Sequence, residues 1–136
     1  MLQCGAMKKT KALSDTSCPC GSGNAFVDCC GQYLDGRALA PTAEHLMRSR
    51  YSAYVQMNMP YLLATWHPST RPTPLDLTPT QWLGLSVERH TLQDANHATV
   101  VFVARYKVGG RAYKLAETSR FVREEGRWFY LDGTIA

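Results

Sequence analysis

The chain has 136 residues and a formal charge of +4, from 15 Lys and Arg against 11 Asp and Glu. Hydrophobic residues at 45% and charged residues at 19% exclude disorder as the default, and the length holds one domain with a short appendage. No apolar run approaches the roughly 20 residues that span a bilayer, and no apolar stretch follows Lys8, Lys9 and Lys11, so neither a membrane span nor a secretory signal is expected and the expected location is the cytoplasm.

Residues 1–17 are polar and read as a loose tail carrying the free thiol of Cys4. Residues 18–31, CPCGSGNAFVDCCG, form a cysteine cluster, and residues 32–40 read as a connector. Pro41 to Met57 predicts an amphipathic helix, because Ala43, Leu46, Met47, Tyr51, Tyr54 and Val55 recur at steps of three and four. Thr42 suits its cap, Glu44 its first turn, and Asn58 and Pro60 its end. A second short helix is expected over Tyr61 to Trp66. Four prolines in 68–80 predict a loop, with one further helical turn from Thr78-Pro79 through Trp82. The period then changes to two. Leu85–Leu92, Ala98–Val108, Arg111–Arg123 and Arg127–Asp132 read as four strands. Turns at Asp94 to His97, Gly109-Gly110 and Glu125-Gly126 join them into an antiparallel meander. There is no internal repeat. Helices followed by a meander predict an α+β domain with helices on one face of the sheet.

Five cysteines in a chain expected to be cytoplasmic do not read as a disulfide framework. Cys18, Cys20, Cys29 and Cys30 have the spacing C-x-C-x8-C-C. Four thiolates suit one tetrahedral Zn²⁺, and a closed shell leaves no water to activate, so one structural zinc is expected. The charge then falls to +2, because four thiolates around a dication add two negative charges. The competing readings are a vicinal disulfide, an iron–sulfur cluster and a redox dithiol. Vicinal disulfides are strained, the spacing is not a ferredoxin pattern, and C-x-C is not C-x-x-C. Gly21 to Gly23 supply a tight turn whose N–H groups can point at the sulfurs. Phe26 and Val27 are expected to pack the knuckle onto the domain that follows.

CPCGSGNAFVDCC resembles the SEC-C motif, the zinc knuckle at the tail of the preprotein-translocase motor SecA. CCGQYLDG, APTAEHLMRSRYSAY and YLLATWHPSTRP extend the likeness, over residues 18–136, to the YchJ-like family of bacterial proteins. The resemblance implies an NTF2-like fold, a cone of helices closed over a curved sheet. The implied organisation is a tail at 1–17, a SEC-C zinc knuckle at 18–36 and an NTF2-like domain at 37–136. Unlike many SEC-C knuckles, this one has no lysine among Asn24, Ala25, Phe26, Val27 and Asp28. No cysteine follows Cys30 in these 136 residues, whereas some relatives carry a second cluster.

A cone implies a pocket between helices and sheet. The candidate residues are Arg48, Arg50, Tyr54, His67, Glu117 and Asp132. Each has a plainer role available. Tyr51 and Tyr54 suit the core. Arg48 and Arg50, two apart on a helix, face different directions, so at most one points at the core. His67 can brace the loop before Pro68, Asp132 can sit in a strand-end turn, and Glu117 can pair with a cross-strand cation. No nucleophile motif and no phosphate-cradling loop is present, so no catalytic residue is assigned. The expected function is a non-enzymatic adaptor that uses the knuckle to contact a protein partner. The alternative is an NTF2-like domain or enzyme holding a small-molecule ligand in its pocket. Nucleic-acid binding is disfavoured by the modest charge and the core-facing aromatics.

Overall fold

The structure, a computed structural model, describes residues 16–135. Cys4 and the expectation of a loose tail lie outside them, apart from residues 16 and 17. After a single 3₁₀ turn at Phe26–Asp28 come helices α1 (Gly31–Leu34), α2 (Ala43–Val55) and α3 (Met59–Ala64). Strands β1 (Gln81–Asp94), β2 (His97–Val108), β3 (Arg111–Glu124) and β4 (Arg127–Ile135) then form one antiparallel sheet in the order β1-β2-β3-β4.

The central helix starts where the sequence places it. The Thr42 hydroxyl accepts from the His45 N–H at 3.1 Å, and Glu44 lies in the first turn. Its end differs from the expectation. Met57 takes a left-handed φ of 55°, and the Met57 and Asn58 N–H groups return to the carbonyls of Tyr54 and Ala53. This Schellman closure ends α2 without help from the Asn58 side chain or from Pro60. Both belong to α3. The Asn58 side chain accepts from the Tyr61 N–H at 3.2 Å, and Pro60 sits in the first turn, where its missing N–H costs nothing.

The helical turn expected from Thr78 to Trp82 is absent. Gln81 and Trp82 pair with Lys107 and Tyr106, so β1 begins four residues earlier than its alternation showed. Trp82 then packs on Tyr51, Tyr54 and Tyr106, with ring centroids 5.4–6.0 Å apart. Both two-residue hairpins carry positive φ at each turn position, +59° and +79° at Gly109-Gly110 and +52° and +78° at Glu125-Gly126. That is the backbone a tight hairpin needs.

Strand β2 shows the clearest two-residue alternation. Ala98, Val100, Phe102 and Ala104 are buried on the face that meets α2, and they join Leu46, Met47, Tyr51, Phe121 and Trp128 in the core. Helix α2 also buries Ser49, Arg50 and Ser52. It is covered on more than its sheet-facing side, which explains a buried face wider than one apolar stripe. The edge of β4 is closed in part by residues 65–67. Tyr130 donates to the Thr65 carbonyl and His67 donates to the Tyr130 carbonyl, both at 2.8 Å.

Candidate functional site

Four sulfurs converge beside α2. The Sγ atoms of Cys18, Cys20, Cys29 and Cys30 all lie within 4.8 Å of one another, and those of Cys20 and Cys29 are 3.7 Å apart. All four cysteines are free, so Cys29 and Cys30 form no vicinal disulfide. A tetrahedral zinc about 2.3 Å from each ligand would set its sulfurs about 3.8 Å apart. The donor set and its spacing therefore fit such an ion. The chain brings these residues together by short-range bonds. Cys18 N–H donates to the Asn24 carbonyl at 2.9 Å, Ser17 bridges Ala25, and the 3₁₀ turn carries the chain back. At Cys29 the backbone bends (φ −122°, ψ −113°), which lets two adjacent cysteines serve one centre.

By themselves the thiols of Cys20, Cys29 and Cys30 are shifted in opposite directions. Hydrogen bonds from Cys18 and Cys30 pull Cys20 down, aided by the hydroxyl and N–H of Ser22. Hydrogen bonds to Cys18 and Cys20 push Cys30 up, and burial pushes Cys29 up. A bound dication is what would let all four ionise together.

The cysteine segment is keyed into the domain. Arg48 Nη1 donates to the Cys20 carbonyl at 2.9 Å while its Nε donates to Glu44 at 3.0 Å. The Ser52 hydroxyl stands 3.6 Å from the Cys18 sulfur. A Cβ on Gly31 would lie 2.7 Å from the Phe26 carbonyl oxygen, so α1 can approach the 3₁₀ turn only with glycine there. Phe26 packs against the core as expected. Val27 does not, being 56% exposed.

On the other side of α2, a cavity of about 280 Å³ separates the helix from the inner face of the sheet. Arg50, Tyr54 and Glu117 line it together. Arg50 is only 5% exposed. Its Nη1 donates to the Leu62 carbonyl at 2.8 Å and the Thr65 hydroxyl at 2.7 Å. Its guanidinium carbon lies 5.0 Å from the Trp66 ring and 4.6 Å from the Tyr130 ring. Burial lowers the Arg50 pKa, opposed by the neighbouring tyrosines and Glu117. Glu117 Oε2 accepts from the Ser119 hydroxyl at 2.6 Å and from the Tyr130 hydroxyl at 3.4 Å. Burial, then the Glu117 charge, raises Tyr130, so the phenol stays protonated as a donor. Tyr51, Trp82, Phe102 and Leu115 belong to the apolar part of the wall.

The other candidate residues lie elsewhere. Arg48 serves the cysteine segment. His67 bonds Ser69 at 2.7 Å and Glu124 at 3.0 Å, bracing the loop outside the cavity. Asp132 pairs with Arg120 on the exposed face of the sheet. It is not a turn residue, because β4 runs on to Ile135. Sequence reasoning missed Ser119, Tyr130 and Gly133. Ser119 lies two residues beyond Glu117 on the same strand and so on the same face, a signal the period of two contains. Gly133 within a strand marks a close approach, here by the Glu117 carboxylate: a Cβ would meet Oε2 at 2.1 Å.

Comparison with known proteins agrees with this architecture. Residues 42–133 match the family described as YchJ, middle NTF2-like domain. A UPF0225 protein of Ralstonia nicotianae is 58% identical over 132 residues, covering 88% of this chain and 91% of its own length. A UPF0225 protein of Bordetella pertussis is 52% identical, covering 95% of this chain and 99% of its own. The solution structure of a SEC-C motif containing protein from Rhodopseudomonas palustris superposes with a TM-score of 0.80 at 33% identity, covering 88% of this chain and 98% of that one. A crystal structure of a SEC-C motif containing protein from Psychrobacter arcticus gives 0.73 at 33% identity, covering 88% and 82%. With an NTF2-like domain behind a cysteine cluster, and relatives that match along nearly their whole length, the chain belongs to the YchJ family.

Proposed function

We propose that this protein is a small-molecule-binding domain whose N-terminal segment is a zinc knuckle. The observation that carries the proposal is the cavity itself. It holds a buried guanidinium and a positioned carboxylate on walls that are otherwise aromatic and aliphatic, the composition expected of a ligand site. A second hollow of about 300 Å³ lies between residues 33–40, α3 and Trp128, but the ionic groups lining it, Asp35 and Arg127, are exposed.

The knuckle is the structural partner of that site. Cys18, Cys20, Cys29 and Cys30 would hold one Zn²⁺, which supplies cross-linking and no reaction. Through Arg48 and Ser52 the centre bears on one side of α2, and Arg50 of the same helix faces the cavity. The knuckle thereby helps place the helix that forms one wall of the cone. The adaptor reading draws support from exposed Val27, but no basic residue stands between the two cysteine pairs, and Arg37, which donates to the Val27 carbonyl at 2.8 Å, is already paired with Asp35.

Two measurements test the proposal. Elemental analysis of protein kept reduced should find close to one zinc per chain. A thermal-shift screen of small aromatic compounds should give stabilising hits that disappear in Leu115→Trp, which fills the cavity. Hits that persist in that variant would place binding elsewhere.

A further inference from the structure

The two charges of the cavity are unpaired in a telling way. Among the described residues, Arg50 forms no salt bridge, nor does Glu117. Apart from the neighbouring Tyr54 hydroxyl, the Nε and Nη2 groups of Arg50 have no acceptor among the described residues, and Glu117 Oε1 accepts no hydrogen bond from those residues. Tyr130 connects the two groups: its ring lies beneath the guanidinium and its hydroxyl reaches the carboxylate. The opposite charges therefore sit about one tyrosine apart at the same pole of the cavity. Glu117 is held there by design of the strand, since the missing Cβ of Gly133 makes its berth and Ser119 donates into it.

These facts constrain the occupant. A bare anion would gain from Arg50 and lose to Glu117, and a bare cation the reverse. A group with an acceptor facing Arg50 and a donor facing Glu117 satisfies both. If uncharged, it also avoids the cost of stripping water from a formal charge in a largely apolar cavity. The aromatic walls of Tyr51, Trp82 and Phe102 favour a flat ring, and about 280 Å³ suits a small fused one.

We infer that the cavity takes a planar, uncharged heteroaromatic lactam, with its ring C=O accepting from Arg50 and its adjacent N–H donating to Glu117. This rests on the ligand-binding reading above and narrows it to one chemical class.

Isothermal titration of the full zinc-loaded chain tests it with four probes. They are 2-quinolinone (the lactam), N-methyl-2-quinolinone (no donor), 2-naphthoate (an anion) and L-tryptophan (a zwitterion). The expected result is that 2-quinolinone binds best and that N-methylation weakens binding tenfold or more. Binding should also fall at least tenfold in Glu117→Leu. The N-methyl comparison alters only the ligand, so it decides the matter even if a cavity variant fails to fold. Tighter binding of naphthoate or tryptophan, or no effect of N-methylation, overturns the lactam and leaves the ligand-binding reading standing. Failure of all four probes to bind overturns both.

Discussion

Replacing Gly133 by alanine tests whether Glu117 is a built part of the cavity. The added Cβ would lie 2.1 Å from Glu117 Oε2 and 2.6 Å from Cδ. Those atoms end a flexible side chain, so the strand need not distort and the carboxylate swings away instead. What is lost is its bond from Ser119 at 2.6 Å, and the Ser119 hydroxyl, on a residue 2% exposed, then lacks its acceptor. Losing a bond to a charged group costs about 1.5–3 kcal/mol. The 3.4 Å contact with Tyr130 is too long to add much. Removing a glycine from a strand returns about 0.5–1 kcal/mol. The net expectation is a loss of about 1–2 kcal/mol, a fall of roughly 3–8 °C in Tm. On a Glu117→Ala background the clash is gone, so Gly133→Ala should be neutral or slightly stabilising. Urea unfolding of the four proteins in this cycle isolates the coupling. Additivity within about 0.5 kcal/mol would show that Glu117 does not depend on the glycine, and would refute the reasoning.

Cys18→Ser should lower bound zinc and expose the 18–36 segment to protease, while far-UV circular dichroism still reports the meander. Loss of the sheet signal would mean that the domain has no core of its own. Arg48→Met should cost about 1–2 kcal/mol by leaving the Cys20 carbonyl without its donor. In protein loaded with zinc it should also speed metal transfer to a chromophoric chelator, whereas an unchanged rate would disconnect α2 from the cysteine site. Asp94 is held below its ordinary value of 3.8 by the Asn96 N–H and then by His97. A depressed folded-state pKa stabilises above the unfolded value, and the contribution is lost as pH falls through the folded one. Wild type should therefore melt above Asp94→Asn at neutral pH and converge with it as the pH falls through the lowered folded-state pKa of Asp94. A constant gap across that range would count against the assignment.

The boundaries that local chemistry controls were readable in the chain. Thr42 capped α2 as its position predicts, and Gly109-Gly110 and Glu125-Gly126 turned the hairpins with positive φ at both residues. Asn58 and Pro60 show where local reasoning divides. Cap and proline suit either the end of one helix or the start of the next, and here the second holds because Met57 closes α2 first. Gln81 and Trp82 show the other limit. Their proline-rich approach reads as a helical turn, but pairing with Lys107 and Tyr106, more than 20 positions away, makes them strand.

That the four cysteines gather in one place was legible in the sequence, since residue type and spacing within a short segment are local properties. Their attachment to α2 through Arg48 and Ser52 was not, because those contacts join positions 28 and 34 apart in the chain. The cavity follows the same division. Arg50, Tyr54 and Glu117 could be nominated by type, alongside Arg48, His67 and Asp132, which the fold sends elsewhere. Which of them meet depends on helix rotation over the sheet and on strand register. In that register Ser119 faces Gly133, whose missing side chain leaves the space that Glu117 fills. Residue types and short-range periods determined most of the elements and the cysteine cluster. Only long-range packing decided that a guanidinium and a carboxylate would face one cavity without pairing.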